Sequence, residues 1–247
     1  MAPHGAPSIE FCFLFILIVF IGVFAKASIP TVSIVSGIVI SFKFQTWLNA
    51  RYSIVVNPLF NFIEYDVNKK LDLDKNLNVE YILHLASNTH PMQYSTDPIG
   101  TITTNIIGLQ NLLDFAVEHN TSRFAFASSN EIYGENRGDV EKFDEKYCGY
   151  IDCNTMRAGY PESKRCGEAL CQAYIAQKGL DIVIPRLTRS YGPTLLKTDT
   201  KALSQFLHKG VACEDIVLKS KGTQYYSYLY VMDSVSGLLT ILLNGEK

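Results

Sequence analysis

The stretch Arg123-Phe-Ala-Phe-Ala-Ser-Ser129-Asn130-Glu131-Ile-Tyr-Gly134 decides the fold of this chain. Its opening residues, 123–127, are apolar and rich in aromatics, which is typical of a buried strand. Hydroxyl groups and a carboxylate follow immediately, in the position where an open α/β sheet presents its chemistry at the carboxyl ends of the strands. The stretch therefore predicts a parallel sheet with a functional site at one edge.

A second stretch, Gly159-Tyr160-Pro-Glu-Ser-Lys164, opens a segment, 160–178, that has the pattern of a helix. Tyr160 and Lys164 are four positions apart, so their side chains share one helical face and can point into one cavity. We expect the ammonium group to stabilise the phenolate and to lower the phenol pKa from about 10 toward working pH. Such a phenolate is a proton acceptor for an alcohol that is being oxidised.

Strand and helix patterns alternate along residues 62–190, which favours an α/β fold with a parallel doubly wound sheet and helices on both faces. The strand patterns cover 62–67, 79–87, 123–127 and 180–187, and the helix patterns cover 99–119 and 160–178. Further along, the sequence predicts a helix at 201–207, a strand at 215–219 and a helix that ends at 243.

Composition narrows the class of protein. The chain has 247 residues, of which 47% are hydrophobic, so it can bury a sizeable core. Its net charge of −2 and the lack of a long basic run argue against a nucleic-acid partner. The six cysteines have no metal-ligand spacing, and Cys166 and Cys171 are interpreted as small buried thiols. We therefore expect no bound metal and a reducing, cytoplasmic location.

Ser129, Tyr160-x-x-x-Lys164 and His84-Leu-Ala-Ser together resemble the extended short-chain dehydrogenase/reductase family of nucleotide-sugar epimerases, dehydratases and decarboxylases. The resemblance covers residues 61–247 and lies closest to the UDP-glucuronate decarboxylases. It implies a Rossmann-like NAD-binding and catalytic domain at 61–187 and an incomplete small substrate-binding domain at 188–247. It also implies NAD as cofactor, a UDP-sugar as substrate and a homodimer that pairs through long helices.

The resemblance also implies roles for individual residues. Tyr160 is the base, Lys164 lowers its pKa and holds the nicotinamide ribose, and Ser129 orients the reacting oxygen. Glu131 supplies a carboxylate in the pattern of the decarboxylases, or only caps its loop, and His84 is interpreted as a satisfied core histidine. The implied cofactor-binding residues are Asp66, Val67, Leu85, Ala86, Ser87, Asn105, Tyr160 and Lys164, and the implied substrate-binding residues are Ser129, Asn130 and Arg189.

Three positions depart from the family pattern. Asn130 stands where the dehydratases carry an aspartic acid, and an amide cannot act as that acid, so decarboxylation or epimerisation is favoured over dehydration. Arg189 replaces an asparagine that contacts the diphosphate, and Tyr226 replaces an arginine that would meet it. Arg189 then either binds the phosphate itself or is a solvated salt-bridge residue.

Residues 1–60 lack the glycine-rich turn on which a dinucleotide-binding domain holds pyrophosphate. The nearest candidate is Ser36-Gly37, after a strand pattern at 31–35, and residues 11–25 form an uninterrupted apolar run. Three interpretations compete for this segment: a membrane anchor, a misassembled start, and a divergent first βα unit. We favour the second, because the family register begins only after Asn61. The alternative function is accordingly an inactive or truncated family member that acts as a binding or membrane-tethered module.

Overall fold

The computed structural model describes residues 15–19, 37–41, 60–74, 76–89, 91–192, 201–218 and 225–246. The strands within these ranges are β1 (Phe15–Val19), β2 (Gly37–Ser41), β3 (Phe60–Glu64), β4 (Tyr81–His84), β5 (Arg123–Phe126), β6 (Ser128–Ser129), β7 (Ile182–Val183), β8 (Arg186–Leu187), β9 (Arg189–Tyr191) and β10 (Tyr228–Tyr230). The helices are α1 (Pro91–Thr96), α2 (Pro98–Thr103), α3 (Leu109–Glu118), α4 (Gly159–Lys178), α5 (Ala202–Val211) and α6 (Val231–Asn244). A π-helical turn, Thr104–Gly108, joins α2 to α3, and the 3₁₀ turns Asn130–Tyr133 and Met156–Ala158 lie before α4.

Six of the strands form one parallel sheet in the order β3-β2-β1-β4-β5-β7. This is the strand order of a doubly wound dinucleotide-binding sheet, in which the direction of winding reverses between the first and fourth strands. Two short parallel pairs, β6 with β8 and β9 with β10, extend the structure beyond the carboxyl edge of the sheet. The predicted parallel α/β architecture is confirmed.

Alternate residues of the central strands bury themselves on opposite faces of the sheet. On one face, Ile82, Phe124 and Ile182 pack with the apolar residues of α3 and α4. On the other face, Leu83 and Ala125 pack against Leu238 and Leu242, among other residues. Because a strand that is covered by helices on both faces has no polar side, its residues form a continuous apolar run. The doubly wound arrangement follows directly from that pattern.

The long helix predicted at 99–119 is interrupted by the π-helical turn Thr104–Gly108, which no periodicity had indicated. The strand predicted at 180–187 is divided, since β7 belongs to the main sheet whereas β8 pairs with β6. The strand predicted at 215–219 is wrong, because residues 214–218 are in neither strand nor helix. The helix patterns at 160–178 and 201–207 correspond to α4 and α5.

The apolar run 11–25 contains β1, which is paired on one side with β2 and on the other with β4. Gly37 opens β2 instead of lying in a turn after a strand, so it is not the missing phosphate-binding glycine. The strand pattern at 31–35 falls outside the described residues. None of the helices in the described ranges is both long and apolar enough to cross a membrane.

Candidate active site

Helix α4 carries Tyr160 and Lys164 on its buried face, where Tyr160 is 6% exposed and Lys164 is 2% exposed. The helix approaches the sheet closely at Gly167, where a Cβ atom would lie 2.7 Å from the ring of Phe126. Only a residue without a side chain permits that contact, and it brings the first two turns of α4 over the carboxyl ends of β5 and β6. As their spacing predicts, Tyr160 and Lys164 lie on the same buried face of α4.

The side chain of Ser129 lies close enough to the phenol of Tyr160 to lower the pKa of that phenol. Ser129 is the last residue of β6, and its oxygen also accepts a hydrogen bond of 3.2 Å from the backbone N–H of Glu131, which caps the following 3₁₀ turn. A substrate oxygen placed between the serine hydroxyl and the phenol would meet two hydrogen-bonding groups at once. The structure brings these two residues together, and their catalytic roles stay predictions.

Burial raises the pKa of Tyr160 to about 12, although the neighbouring Ser129 side chain lowers it. The expectation that Lys164 pulls this pKa below 10 is therefore wrong for this structure. The ammonium group of Lys164 donates a hydrogen bond of 2.8 Å to the backbone carbonyl of Ala127 and lies 6.0 Å from the centroid of the Tyr160 ring. Burial lowers the pKa of Lys164 to about 7, so its own charge is only partly present at neutral pH.

Glu131 is ion-paired, and this pairing was not predicted. Nη2 of Arg157 lies 3.0 Å from each of its two carboxylate oxygens. The Arg157 guanidinium also lies over the ring of Tyr94, with its carbon 5.0 Å from the ring centroid. Tyr94 in turn stacks on Tyr160, with ring centroids 5.0 Å apart. These contacts place a carboxylate, a guanidinium and a second phenol beside the proposed base.

Sequence reasoning missed both Tyr94 and Arg157. Arg157 lies only three positions before Tyr160, so its proximity was available as a signal. Tyr94 lies in α1, remote in sequence, and only the packing of α1 on the start of α4 brings its ring to Tyr160. Burial raises the pKa of Tyr94, which keeps this second phenol protonated.

Ser87 and Asn105 belong to a buried hydrogen-bond network that reaches the backbone of Tyr160. The Ser87 hydroxyl donates a hydrogen bond of 2.7 Å to the amide oxygen of Asn105, and its side chain lies close enough to the Tyr160 phenol to lower the pKa of that phenol. The amide nitrogen of Asn105 donates 2.9 Å to the hydroxyl of Ser163, and Ser163 donates 2.9 Å to the backbone carbonyl of Tyr160. Both side chains, predicted as cofactor contacts, therefore take part in a buried network around Tyr160.

His84 is a core residue, but it is not a satisfied one. Its ring lies between Phe124 and Phe126, with centroid distances of 6.2 and 5.7 Å. Neither ring nitrogen has a hydrogen-bond partner within the part of the chain that the structure describes. Burial lowers its pKa to about 3, so the imidazole is neutral at physiological pH.

Five of the eight residues predicted to bind the cofactor follow the carboxyl ends of β3 and β4: Asp66, Val67, Leu85, Ala86 and Ser87. Asp66 accepts a hydrogen bond of 2.9 Å from the backbone N–H of Asn68, and the amide oxygen of Asn68 is buried without a partner among the described residues. Val67 is buried, and a Cβ atom at Gly108 would lie 2.8 Å from its side chain, so glycine permits the π-helical turn to pack against this loop. An orphaned acceptor next to a carboxylate fits the amino group of an adenine. The residues at this end of the site thus fit a dinucleotide.

Leu85 and Ala86 continue the line of β4 toward Ser87. Ala86 is 2% exposed, whereas Leu85 is half-buried and packs on the side of the sheet that α6 covers. Small side chains at this edge allow a flat ligand to approach the backbone. The glycine-rich turn that would hold the phosphates is absent from the sequence of residues 1–60, and residues 20–36 lie outside the described structure.

The predicted substrate-binding residues Asn130 and Arg189 belong to two different elements. Asn130 is half-buried and begins the 3₁₀ turn that follows Ser129. Arg189 belongs to β9, and its guanidinium carbon lies 3.7 Å from the centroid of the Tyr226 ring. Arg189 and Tyr226, two of the three positions that depart from the family pattern, are therefore in direct contact. Cys166, predicted to be buried, is exposed, whereas Cys171 is buried as expected.

A doubly wound sheet with a tyrosine and a lysine on one helix, beside a serine at a strand end, defines the short-chain dehydrogenase/reductase class. Within it, this chain belongs to the NAD dependent epimerase/dehydratase family, whose pattern matches residues 38–247. The recognition made from the motifs alone is confirmed. The family is NAD-dependent and includes nucleotide-sugar enzymes.

Among curated proteins, the chain is 33% identical over 183 residues to UDP-glucuronic acid decarboxylase 1 of Xenopus tropicalis, covering 74% of this chain and 42% of that protein. It is 34% identical over 191 residues to UDP-glucuronic acid decarboxylase 6 of Arabidopsis thaliana, covering 77% of this chain and 53% of that protein. The chain thus spans about half the length of these relatives.

Two solved structures show the same fold. A dTDP-glucose 4,6-dehydratase from Streptomyces venezuelae, with NAD and TYD bound, matches with a TM-score of 0.70 and 21% identity, covering 95% of this chain and 73% of that one. A mutant UDP-glucuronic acid 4-epimerase from Bacillus cereus, in complex with a fluorinated UDP-sugar and NAD, matches with a TM-score of 0.70 and 20% identity, covering 94% of this chain and 73% of that one.

Proposed function

We propose that this chain modifies a nucleotide sugar by oxidising one sugar hydroxyl to a ketone with NAD, and that decarboxylation or epimerisation follows. The observation that carries this proposal is the proximity of Ser129 to the Tyr160 phenol, at a strand end that continues into Glu131. The membership of the NAD-dependent family supports the cofactor. The likeness to UDP-glucuronic acid decarboxylases supports a UDP-linked sugar acid as substrate.

In the proposed reaction, Tyr160 takes the proton of the sugar hydroxyl while Ser129 orients that oxygen by a hydrogen bond. NAD, when bound, accepts the hydride from the same carbon. Because burial raises the pKa of Tyr160, the phenol is the resting form, and it becomes a base only when positive charge reaches it. Lys164 and Arg157 are the cationic side chains beside it, and the charge of Lys164 rises as pH falls through about 7.

Two features favour loss of carbon dioxide over loss of water at the ketone stage. Asn130 cannot donate a proton as a carboxylic acid does, and Glu131 is held by Arg157 beside the phenol. A carboxylate on the carbon next to a ketone is readily lost as carbon dioxide. The electron pair left on that carbon is delocalised into the ketone, which gives an enolate. Returning a proton to that enolate is a task within reach of the Tyr160 phenol.

Arg189 is proposed to meet the diphosphate. Its guanidinium lies on the ring of Tyr226, the residue that replaces the family's arginine. A cation therefore remains near the site of that arginine, although it comes from a different position in the sequence. A planar guanidinium binds phosphate oxygens in pairs. A homodimer and a UDP-sugar partner are proposed on the same family grounds.

The test is ligand binding followed by turnover. We expect NAD to raise the melting temperature of the purified chain, and UDP-glucuronic acid with NAD to release carbon dioxide. Tyr160→Phe should keep the NAD-dependent shift but lower the turnover by about 10²- to 10⁴-fold, because the phenol oxygen is lost and the ring is retained.

Tyr174→Phe is the matched control, since it removes a phenol from the same helix, where the hydroxyl bonds only Asp114 at 2.5 Å on the exposed side. Its turnover should stay at the parent level. A chain that shows no response to millimolar NAD would instead support the alternative of an inactive family member. Turnover without carbon dioxide, with an epimerised product, would select epimerisation.

A further inference from the structure

Arg165 joins three pieces of the chain beside the proposed base. It lies in α4, immediately after Lys164, and its side chain is 22% exposed. Nε donates a hydrogen bond of 2.7 Å to the backbone carbonyl of Ile132, and Nη2 donates one of 2.7 Å to the backbone carbonyl of Gly149. Nη1 donates 3.1 Å to the carboxylate of Glu162 on the same helix. All three guanidinium nitrogens are therefore in use, two of them on segments outside α4.

The two carbonyls that Arg165 binds belong to the two legs of one loop. The backbone N–H of Gly149 donates 2.9 Å to the carbonyl of Tyr133, and that of Glu135 donates 2.9 Å to the carbonyl of Tyr150. A Cβ atom at Gly149 would lie 2.6 Å from the carbonyl oxygen of Glu135, so glycine permits the close approach of the legs. The segment 136–148 is thus an excursion whose two ends are closed against each other.

The first leg begins with the 3₁₀ turn that carries Glu131. Ile132 follows Glu131 in this turn, so the bond from Arg165 to the Ile132 carbonyl ties the turn to α4, the helix that also carries Tyr160. Arg157 holds the carboxylate of Glu131, with Nη2 at 3.0 Å from each oxygen. One arginine therefore orients the side chain, and the other fixes the backbone from which that side chain extends.

We propose that Arg165 is a positioning residue, which sets the place of the Glu131 carboxylate relative to the Tyr160 phenol by clamping both legs of the loop to α4. It acts on the reaction through Glu131. This inference rests on the proposed function, in which Glu131 favours the loss of carbon dioxide at the ketone stage. It adds a residue that neither the spacing of the motif nor the contacts of the phenol had indicated.

The clamp depends on the shape of the guanidinium group. Nε and Nη2 lie on one edge of a rigid plane, so they hold two acceptors at a fixed separation. Hydrogen bonds from a charged donor are also stronger than those between neutral groups. A lysine keeps the charge, but its single nitrogen on a flexible stem does not fix the Ile132 and Gly149 carbonyls relative to each other.

Hydrogen exchange of the full chain tests the clamp without any turnover. The reporting groups are the backbone N–H groups of Glu135 and Gly149, which bond between the two legs. We expect Arg165→Met to speed exchange of peptides over 129–135 and 147–151 by about tenfold or more, with the strand at 123–126 unchanged. Parent-level exchange in both peptides would overturn the proposal.

Turnover in single and double variants tests the role in the reaction. With UDP-glucuronic acid and NAD, Arg165→Met should lower kcat by about tenfold or more and leave KM nearly unchanged. Reduced NAD should accumulate, because the hydride leaves the sugar before the stage at which Glu131 acts and is not returned until that stage is complete. The near-ultraviolet absorbance of reduced NAD measures this accumulation.

The same substitution in a Glu131→Gln background should cost less than about twofold, because Arg165 acts through that carboxylate. Equal losses in the two backgrounds would show that Arg165 only stabilises the fold, and they would overturn the proposal. A parent chain without turnover would contradict the proposed function, whereas the exchange of Arg165→Met would still decide whether this residue is the clamp.

Glu162→Ala is the matched control, since it removes the partner of Nη1 and leaves both carbonyl bonds in place. Its exchange and its kcat should stay at the parent level. Arg165→Lys serves if the methionine variant does not fold, and it should change exchange and kcat in the same directions by smaller factors. Parent-level values in that variant would contradict the clamp.

Discussion

Arg186 and Arg189 are three positions apart in the sequence but have different neighbours in the structure. Arg186, in β8, is partly buried beside the carboxyl edge of the main sheet, where it pairs with Glu168 of α4 at 2.7 Å. Arg189, in β9, lies on Tyr226 within a tyrosine-rich surface formed by Tyr191, Tyr225, Tyr226, Tyr228 and Tyr230, all of which are more than a third exposed. The first arginine is part of the scaffold of the site, and the second is available to a ligand.

This difference separates the groups proposed for chemistry from the groups proposed for substrate recognition. The groups proposed for chemistry are held in fixed positions by buried bonds, so that they are in place before a substrate arrives. The groups proposed for recognition lie at the surface, where their contacts change when a ligand binds. Stability and reactivity should therefore respond to different substitutions, which the next three experiments examine.

The largest expected effect is on the partly buried pair of Arg186 and Glu168. Arg186→Met should lower the free energy of unfolding by about 2 to 4 kcal/mol, because it leaves the Glu168 carboxylate, at 15% exposure, without its cation. Urea unfolding followed by circular dichroism gives the value. The double variant Arg186→Met with Glu168→Leu should recover part of the loss, since no unpaired charge is then left inside. A single-variant loss under about 0.5 kcal/mol would mean that this pair behaves like an exposed one.

The next effect depends on pH and concerns Lys164. Burial lowers its pKa to about 7 in the folded protein, against an ordinary value of 10.5. Between these values the unfolded chain binds more protons than the folded one, so this residue makes stability rise with pH, by at most about 1.4 kcal/mol per pH unit. Lys164→Met should remove that rise in urea unfolding measured from pH 6 to about 9. Parallel curves for the parent and the variant would contradict the lowered pKa.

The smallest expected effect on stability is at Arg189. Arg189→Ala removes a cation from the ring of Tyr226 at the surface and should change the free energy of unfolding by less than about 1 kcal/mol. If the proposed diphosphate contact is correct, KM for the UDP-sugar should rise about tenfold or more, with kcat nearly unchanged. Arg189→Lys keeps the charge but not the paired geometry, so its KM should lie between that of the parent and that of Arg189→Ala. An unchanged KM in both variants would remove Arg189 from the site.

The sequence predicted the elements that depend on local pattern. The apolar run at 123–127 and the tyrosine–lysine spacing on α4 were sufficient for the parallel sheet and for the meeting of Ser129 with Tyr160. Patterns did not predict the stacking of Tyr94 on Tyr160, because α1 reaches α4 only through tertiary packing. The patterns also did not predict the directions of the pKa shifts, because spacing shows that a cation is near the phenol but not how deeply the two groups are buried.

The π-helical turn Thr104–Gly108 lets the helical segment that ends in α3 carry a buried polar group beside its apolar face. A turn of this kind amounts to one residue inserted into a regular helix, and it shifts the phase of everything that follows. Leu109, Leu112 and Leu113 can therefore keep their apolar stripe on the sheet while Asn105 faces inward, fully buried, one turn earlier. One inserted residue thus separates two sequence requirements, the packing of the core and the placement of an amide, so that each can vary without disturbing the other.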